Sequence, residues 1–481
     1  MRFEMARHLD GLLHSRRALG KSSDVLSESV QAPLVPPAEF SWPDFLSYLI
    51  YIDAEIEHCL LVQYLYAAYS LGGPQVPEKY RKQIADWQEV ILGIAKEEMG
   101  HLISVLNVLK LTGAPLNVGR EDFPWDCEFY PFPFSLEPLS LKSLACYVYA
   151  ESPTDWSGPE SEAVKKLVGE VTHNPHQVSA LFEVILDLLK DPVRIPDNLF
   201  QAHTLPFQAS FAQWGRGYHG GARGDARSAN PVGTPNVIVN QVGSRDSAVA
   251  SLSQIAEQGE ACPDISPDAP SHFARFLRIF CEMQKLEPEF KRDGWSPSRN
   301  CALNPYVACE TGSPPPSMSL KKQRERDPIT AEEAKLWANL FNVRYRLLLN
   351  FLIHSFDLTD AIIDTGPRSP LGTLINATFA EMYNLRAIST TLMELPISAD
   401  TSGKTAGPPF QMPYTLSAPS GEANRWRQHK QVLFASTSLI EQALKVTPPT
   451  RHRYLNSLRE ADAKLIEVID VILCGFATKG Y

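Results

Sequence analysis

The chain has 481 residues, 44% of them hydrophobic and 21% charged, enough apolar surface for two compact domains with cores of their own. A formal net charge of −10 without any clustered Lys/Arg stripe excludes a nucleic-acid surface or an anionic membrane as the main partner. No run of about eighteen apolar residues occurs, so no membrane span is expected, and eight scattered cysteines without a CxxC pair read as thiols of a reducing, cytoplasmic compartment.

Residues 1–40 read as a tail and linker: the first twenty mix both charges and lack the apolar centre of a secretion signal, and 22–40 are rich in Ser and Pro. Helical spacing then begins. One helix is expected from Trp42 to Leu71, stopped by Gly-Gly-Pro at 72–74, and a second from Glu78 to Thr112, closed by Gly-Ala-Pro at 113–115. The stretch DFPWDCEFYPFPF (122–134) holds four Phe and three Pro and can only be an aromatic loop packed on something. Shorter helices are expected at 139–151, 177–191, 248–260 and 271–286. The Pro- and Gly-rich connection 192–245 contains the best strand signal, NVIVNQV at 236–242. A linker at 291–326 separates a first domain, 41–290, from a second helical domain, 327–481, with helices at 329–356, 370–395 and 423–446.

One motif stands out in this all-α pattern. In AKEEMGHL, Glu98 and His101 are three residues apart and project from one side of a helix. Carboxylate-bridged di-iron and di-manganese bundles use that spacing: hard carboxylates neutralise two divalent ions, and one imidazole per metal leaves positions open for dioxygen. Alone the pair is weak, and the adjacent Glu97 suggests a solvated face. The preceding helix adds Glu57, forty-one residues before Glu98 and on the flank shared by Leu60, Leu61 and Tyr64. A carboxylate at that depth requires a proton, a counter-ion or a metal. The competing reading makes Glu57 part of a local Lys/Arg network beside an exposed His58.

EHCLLVQYLYAAYS followed by KEEMGHLISVLNVLKLTGAP resembles the first helix pair of ferritin-like di-iron proteins, in the branch associated with iminophenyl-pyruvate dimer synthase. Shorter similarities follow in LSLKSLACYVYAESP, ALFEVILDLL, IAEQGEA, SHFARF and TAGPPF, so the resemblance covers most of residues 45–415. It implies a ferritin-like helical bundle with long inserted loops. The implied ligand set is Glu57, Glu98 and His101, completed by Glu183, Glu260 and His272. The positions matched in the second half carry no ExxH; Glu257 and Glu260 form a carboxylate pair instead, and Glu151 is a further candidate. Three ligands would make the site mononuclear and six dinuclear, the latter being favoured.

The cofactor so implied is two iron ions, with manganese as the alternative. The activity implied is a dioxygen- or peroxide-using oxidase or oxygenase of specialised metabolism, acting on a small amino-acid-derived substrate, with oxidative coupling of imino acids as one specific reaction. Iron storage or sensing, and a metal-free scaffold, are the alternatives. The partners expected are a small-molecule substrate and dioxygen, with a homodimer left open. Tyr64, Tyr66 and Tyr69 read as core, Cys59 as a buried thiol, His354 and Asp357 as a hydrogen-bonded core pair, and GRGYHGGARG (215–224) as a lid whose Arg216, His219 and Arg223 could hold a carboxylate.

Overall fold

The computed structural model describes residues 35–125, 130–172, 175–215, 235–260, 270–308, 325–359, 369–399, 403–413 and 416–479. Helix α1 (Trp42–Ser70) starts where the Ser41 hydroxyl accepts from the Asp44 N–H at 3.3 Å and Pro43 fills a first-turn position that needs no N–H. It ends at Gly72 and Gly73, whose φ angles of +84° and +110° suit glycine. The chain folds back as α2 (Glu78–Leu111), which packs along α1. Next come α3 (Leu141–Ala150), α4 (Pro159–Gly169), α5 (Ser179–Leu189), α6 (Arg245–Glu260) and α7 (His272–Asp293). Helix α3 packs on α4 and α7, α5 on α1 and α6, and both α6 and α7 on α2, so α1 and α2 are enclosed. This explains why twenty-one residues of each are buried, charged ones included.

Four further helices, α8 (Glu332–Ser355), α9 (Pro370–Leu392), α10 (Glu422–Val446) and α11 (Pro449–Lys479), form a second group, with α8 against α9 and α10, and α10 against α11. Arg344 at its centre donates to Glu381 Oε1 on α9 at 2.9 Å and to both carboxylate oxygens of Asp462 on α11 at 2.7 and 2.6 Å. Helices α4 and α11 have no counterpart among the sequence expectations. In α4 only Ser161, Val164 and Val168 are buried. In α11 the apolar stripe Leu455, Leu458, Ile469, Ile472 is interrupted by buried Asp462, which hides its period.

The two groups are joined by polar contacts. The Tyr345 hydroxyl on α8 bonds His58 Nε2 on α1 and accepts from Arg120 Nη2 at 3.1 Å, while Arg120 also donates to the Phe410 carbonyl. His58 is therefore buried, not exposed. Residues 297–304 lie between the groups: the Arg299 N–H donates to the Ser70 carbonyl at 2.8 Å, and the Ala302 N–H to the Thr405 carbonyl at 2.9 Å.

Among the described residues there is no strand, only isolated bridges. The stretch 236–242 is instead a strap on α2. Glu97 Oε1 accepts from the Asn236 N–H at 2.7 Å, Ser104 Oγ donates to the Ile238 carbonyl and accepts from the Asn240 N–H, both at 3.1 Å, and Asn107 Nδ2 donates to the Asn240 carbonyl at 2.8 Å. Gly100 sits inside this stripe because a Cβ there would meet the Ile238 carbonyl oxygen at 2.7 Å. The expected His354–Asp357 pair is also corrected. His354 bonds His429 Nε2 at 2.8 Å and Glu422 Oε1 at 2.7 Å, whereas Asp357 accepts from Arg425 at 2.5 Å.

Candidate metal centre

Helices α1 and α2 turn Glu57, Glu98 and His101 to one buried point, and the first turn of α7 adds His272; each is 2% exposed or less. Ser271 makes this possible as the N-cap of α7, its hydroxyl accepting from the Ala274 N–H at 3.2 Å and fixing where the helix starts. Glu98 Oε2 lies 2.9 Å from His101 Nδ1, and Glu98 Oε1 lies 2.8 Å from His272 Nδ1. One carboxylate thus spans two imidazoles.

The outer nitrogens are tied down. His101 Nε2 donates to Gln258 Oε1 at 2.8 Å, and Gln258 Nε2 donates in turn to the Asn236 carbonyl at 2.8 Å, which sets the amide's orientation. His272 Nε2 donates to Glu97 Oε2 at 3.0 Å, and Arg275 pairs with the same oxygen. In the structure His101 Nδ1 donates to Glu98 Oε2; with a cation in its place, Nε2 would keep the outer proton and each ring would turn a neutral Nδ1 lone pair inward. Glu97 is therefore not on a solvated face; it is buried, and Arg275 and His272 bring its carboxyl down to about 2 against the opposing effect of burial.

Two more carboxylates flank the centre. Glu57 Oε2 is 3.6 Å from His101 Nδ1, and Glu151 Oε2 is 3.8 Å from His272 Nδ1 while Glu151 Oε1 accepts from the Tyr64 hydroxyl at 2.5 Å. A Cβ at Gly259 would lie 3.1 Å from Glu151 Oε2, so the glycine leaves this carboxylate its place. Glu57 Oε2, Glu98 Oε1 and His272 Nδ1 are buried without any hydrogen-bond partner, although the last two are 2.8 Å apart. Atoms that close without hydrogen-bond alignment both present lone pairs to a common point, as ligands of one cation do. Without a cation the charges settle by proton. Burial would raise Glu98, but His272 and His101 pull it well below the usual carboxylate range; burial would lower His101, but Glu98 and Glu57 raise it to about 10; burial and Glu98 push Glu57 well up.

Glu98, His101 and His272 form a group with one ligand atom each within 4.8 Å of the others. Of the other expected ligands, Glu57 adjoins this group, Glu183 lies on the exposed face of α5, and the Glu260 side chain is outside the described residues, as is the expected lid 216–224. Glu257 is exposed. Sequence reasoning missed Gln258 and the role of Glu97, whereas Glu151 was among its candidates. Cys59, Tyr64, Tyr66 and Tyr69 are buried as expected.

The Ferritin-like family model matches residues 53–281, the stretch from α1 to α7 that holds every residue of this centre. Residues 53–281 are a ferritin-like domain. Beyond it, the chain is 27% identical over 387 residues to dichlorochromopyrrolate synthase of Lentzea aerocolonigenes, covering 74% of this chain and 35% of that protein. It is 25% identical over 397 residues to 2-imino-3-(indol-3-yl)propanoate dimerase of Chromobacterium violaceum, covering 75% of this chain and 33% of that protein. The chain thus spans about a third of the length of these curated relatives. No solved structure matches it. No described helix is long and apolar enough to cross a membrane.

On its other face, the α1–α2 pair of the ferritin-like domain borders an apolar cavity of 220 Å³ shared with α8 and α9. Its lining includes His58, Met99 and Leu102, sequence neighbours of Glu57, Glu98 and His101.

Proposed function

We propose that this chain is a metal-dependent oxidoreductase of specialised metabolism that oxidises a small amino-acid-derived substrate with dioxygen or peroxide, the specific reaction being oxidative coupling of two imino acids. The observation that supports it is the placement of the Glu98 carboxylate between the inward Nδ1 atoms of His101 and His272. Two divalent ions, iron or manganese, fit this donor set of carboxylates and imidazoles. Glu57, Glu98 and His101 would hold one, and Glu98, His272 and Glu151 the other. When bound, such ions supply a redox couple and a Lewis acid for oxygen chemistry. Coupling two imino acids joins two carbons and removes two electrons and two protons, so an oxidant is required.

The chain's own part is orientation and exclusion of water. Gln258 and Glu97 lock the imidazoles, Arg275 keeps Glu97 anionic, and Tyr64, Tyr147 and Phe276 close the floor, Tyr64 lying 4.9 and 4.8 Å from the other two ring centroids. We assign the substrate's aromatic ring to the apolar cavity behind α1 and α2. The names of the two relatives, an imino-acid dimerase and a chromopyrrolate-type synthase, support this substrate class.

The test is to load chelator-stripped protein with ferrous ion, add the imino acid generated in situ from tryptophan, and follow oxygen uptake and product mass. A product of twice the substrate mass less two hydrogens, absent from the Glu98→Ala variant, is expected. Iron-loaded protein that forms no such product with either dioxygen or added peroxide overturns the reading.

A further inference from the structure

Asp53 is fully buried, and neither of its carboxylate oxygens has a hydrogen-bond partner. It lies one helical turn before Glu57 on α1, on the same face. A proton does not resolve its position, because a neutral carboxyl would still lack an acceptor for its O–H and a donor for its carbonyl. Glu57 Oε2, one turn away, is orphaned in the same way.

The charges of the region point in one direction. Among the described residues these buried carboxylates, Asp53, Glu57, Glu97, Glu98 and Glu151, have one guanidinium paired into them, that of Arg275 on Glu97. Five carboxylates against one guanidinium leave four negative charges, the number that two divalent cations balance while both imidazoles stay neutral ligands. With the Asp53 and Glu57 carboxylates drawn in beside Glu98 Oε2 and His101 Nδ1, one of these cations would gain a hard, mostly anionic donor set of the kind manganous and ferrous ions take.

We infer that Asp53 is a ligand of the cation on the His101 side, so that α1 contributes two carboxylates to the centre. This rests on the metal-binding reading above and extends it to a residue one turn away from the expected ligands. The orphaned oxygens of Asp53 and Glu57 then have the partner that the protein itself does not supply.

The test is Mn²⁺ binding to the full chain, followed by equilibrium dialysis with elemental analysis and by thermal melting. Asp53→Asn keeps the side chain's shape and removes its charge. Wild type is expected to bind two Mn²⁺ per chain and Asp53→Asn one, with the lost site weakened about tenfold or more and the metal-free melting temperature of the variant near that of wild type. His272→Ala should lose the other cation, and the double variant both. Wild type that binds Mn²⁺ while Asp53→Asn binds the same amount with the same affinity overturns the role of Asp53 and leaves the centre standing. Wild type that binds no Mn²⁺ overturns the centre and Asp53 with it. Should crystals soaked in Mn²⁺ show a water between Asp53 and Glu57, with anomalous density only beside His272, the assignment also fails.

Discussion

His101 and His272 come from helices separated by 171 positions, yet their rings stack with centroids 5.2 Å apart and planes 27° from parallel, each turned to a different oxygen of Glu98. Two imidazoles packed this closely in a dry core repel if both are charged. The arrangement is favourable when both are neutral and cations take up their lone pairs. His272→Ala should therefore remove one bound metal and leave the other, whereas Glu98→Ala, which strips an oxygen from each position, should depress both. Metal content of the purified variants after reloading decides the matter, and full content in Glu98→Ala would show that this carboxylate is not a ligand.

Glu97 touches no inward lone pair, but it holds the outer N–H of His272 and is itself held by Arg275 and the Asn236 N–H. Glu97→Gln keeps the side chain's size and loses the charge that fixes the ring. Outer partners of this kind are worth about 10–100-fold in metal affinity. A drop of that order at the His272 position is expected in a competition titration with a chelator, and an unchanged affinity would make Glu97 a structural ion pair only.

Much of this centre can be read from the sequence because helical periodicity carries it. Glu57, Glu98 and His101 lie on flanks whose apolar neighbours repeat every three or four residues, and their burial follows. The same logic places Glu183 outward: Leu181, Phe182, Val184, Ile185, Leu188 and Leu189 are the buried apolar residues of α5, which leaves position 183 on the exposed side despite its motif match. Gln258 and the Glu97–Arg275 pair were not legible, since they depend on the strap at 236–242 and on how α7 is set against α2 across long connections. Asp53 was legible in principle, one turn before Glu57 on the same flank. The strap was misread because its Val and Ile residues suit a sheet, while its backbone partners are side chains of α2.

The cavity behind α1 and α2 gives a separate expectation. Leu349 on α8 is 1% exposed and forms part of its wall. Leu349→Trp would put an indole ring into the 220 Å³ cavity and should abolish binding of an indole-bearing acid, measured calorimetrically, while leaving metal content at the wild-type level. Binding that survives the substitution would place the substrate elsewhere.

Acid should weaken the second helix group through His429. Its ring is buried, shares a 2.8 Å hydrogen bond with His354, and is faced by Trp426 and Phe351; the Glu422 carboxylate bonds His354 on that ring's other nitrogen. Burial, reinforced by His354, holds the His429 imidazole well below its ordinary value of 6.5. The unfolded chain then binds a proton that the folded chain refuses. Stability attributable to this group is intact above about pH 6.5 and falls as pH drops towards the folded value, by up to about 1.4 kcal/mol per pH unit. His429→Leu should flatten the fall of unfolding free energy between pH 6.5 and 5, and an unchanged slope would assign the effect to other groups.

The Arg344 triad carries a stability effect separate from the candidate metal centre. Burial pushes Glu381 and Asp462 upward and Arg344 pulls both back, so the guanidinium is what keeps two carboxylates tolerable inside the helix group. Arg344→Met strands them and should cost about 3–5 kcal/mol in denaturant unfolding, whereas replacing all three residues with apolar ones of similar volume should recover most of that loss. A single variant as stable as wild type would mean that solvent already reaches the triad. A triple variant no better than the single one would mean that Arg344 also fixes how α8, α9 and α11 pack.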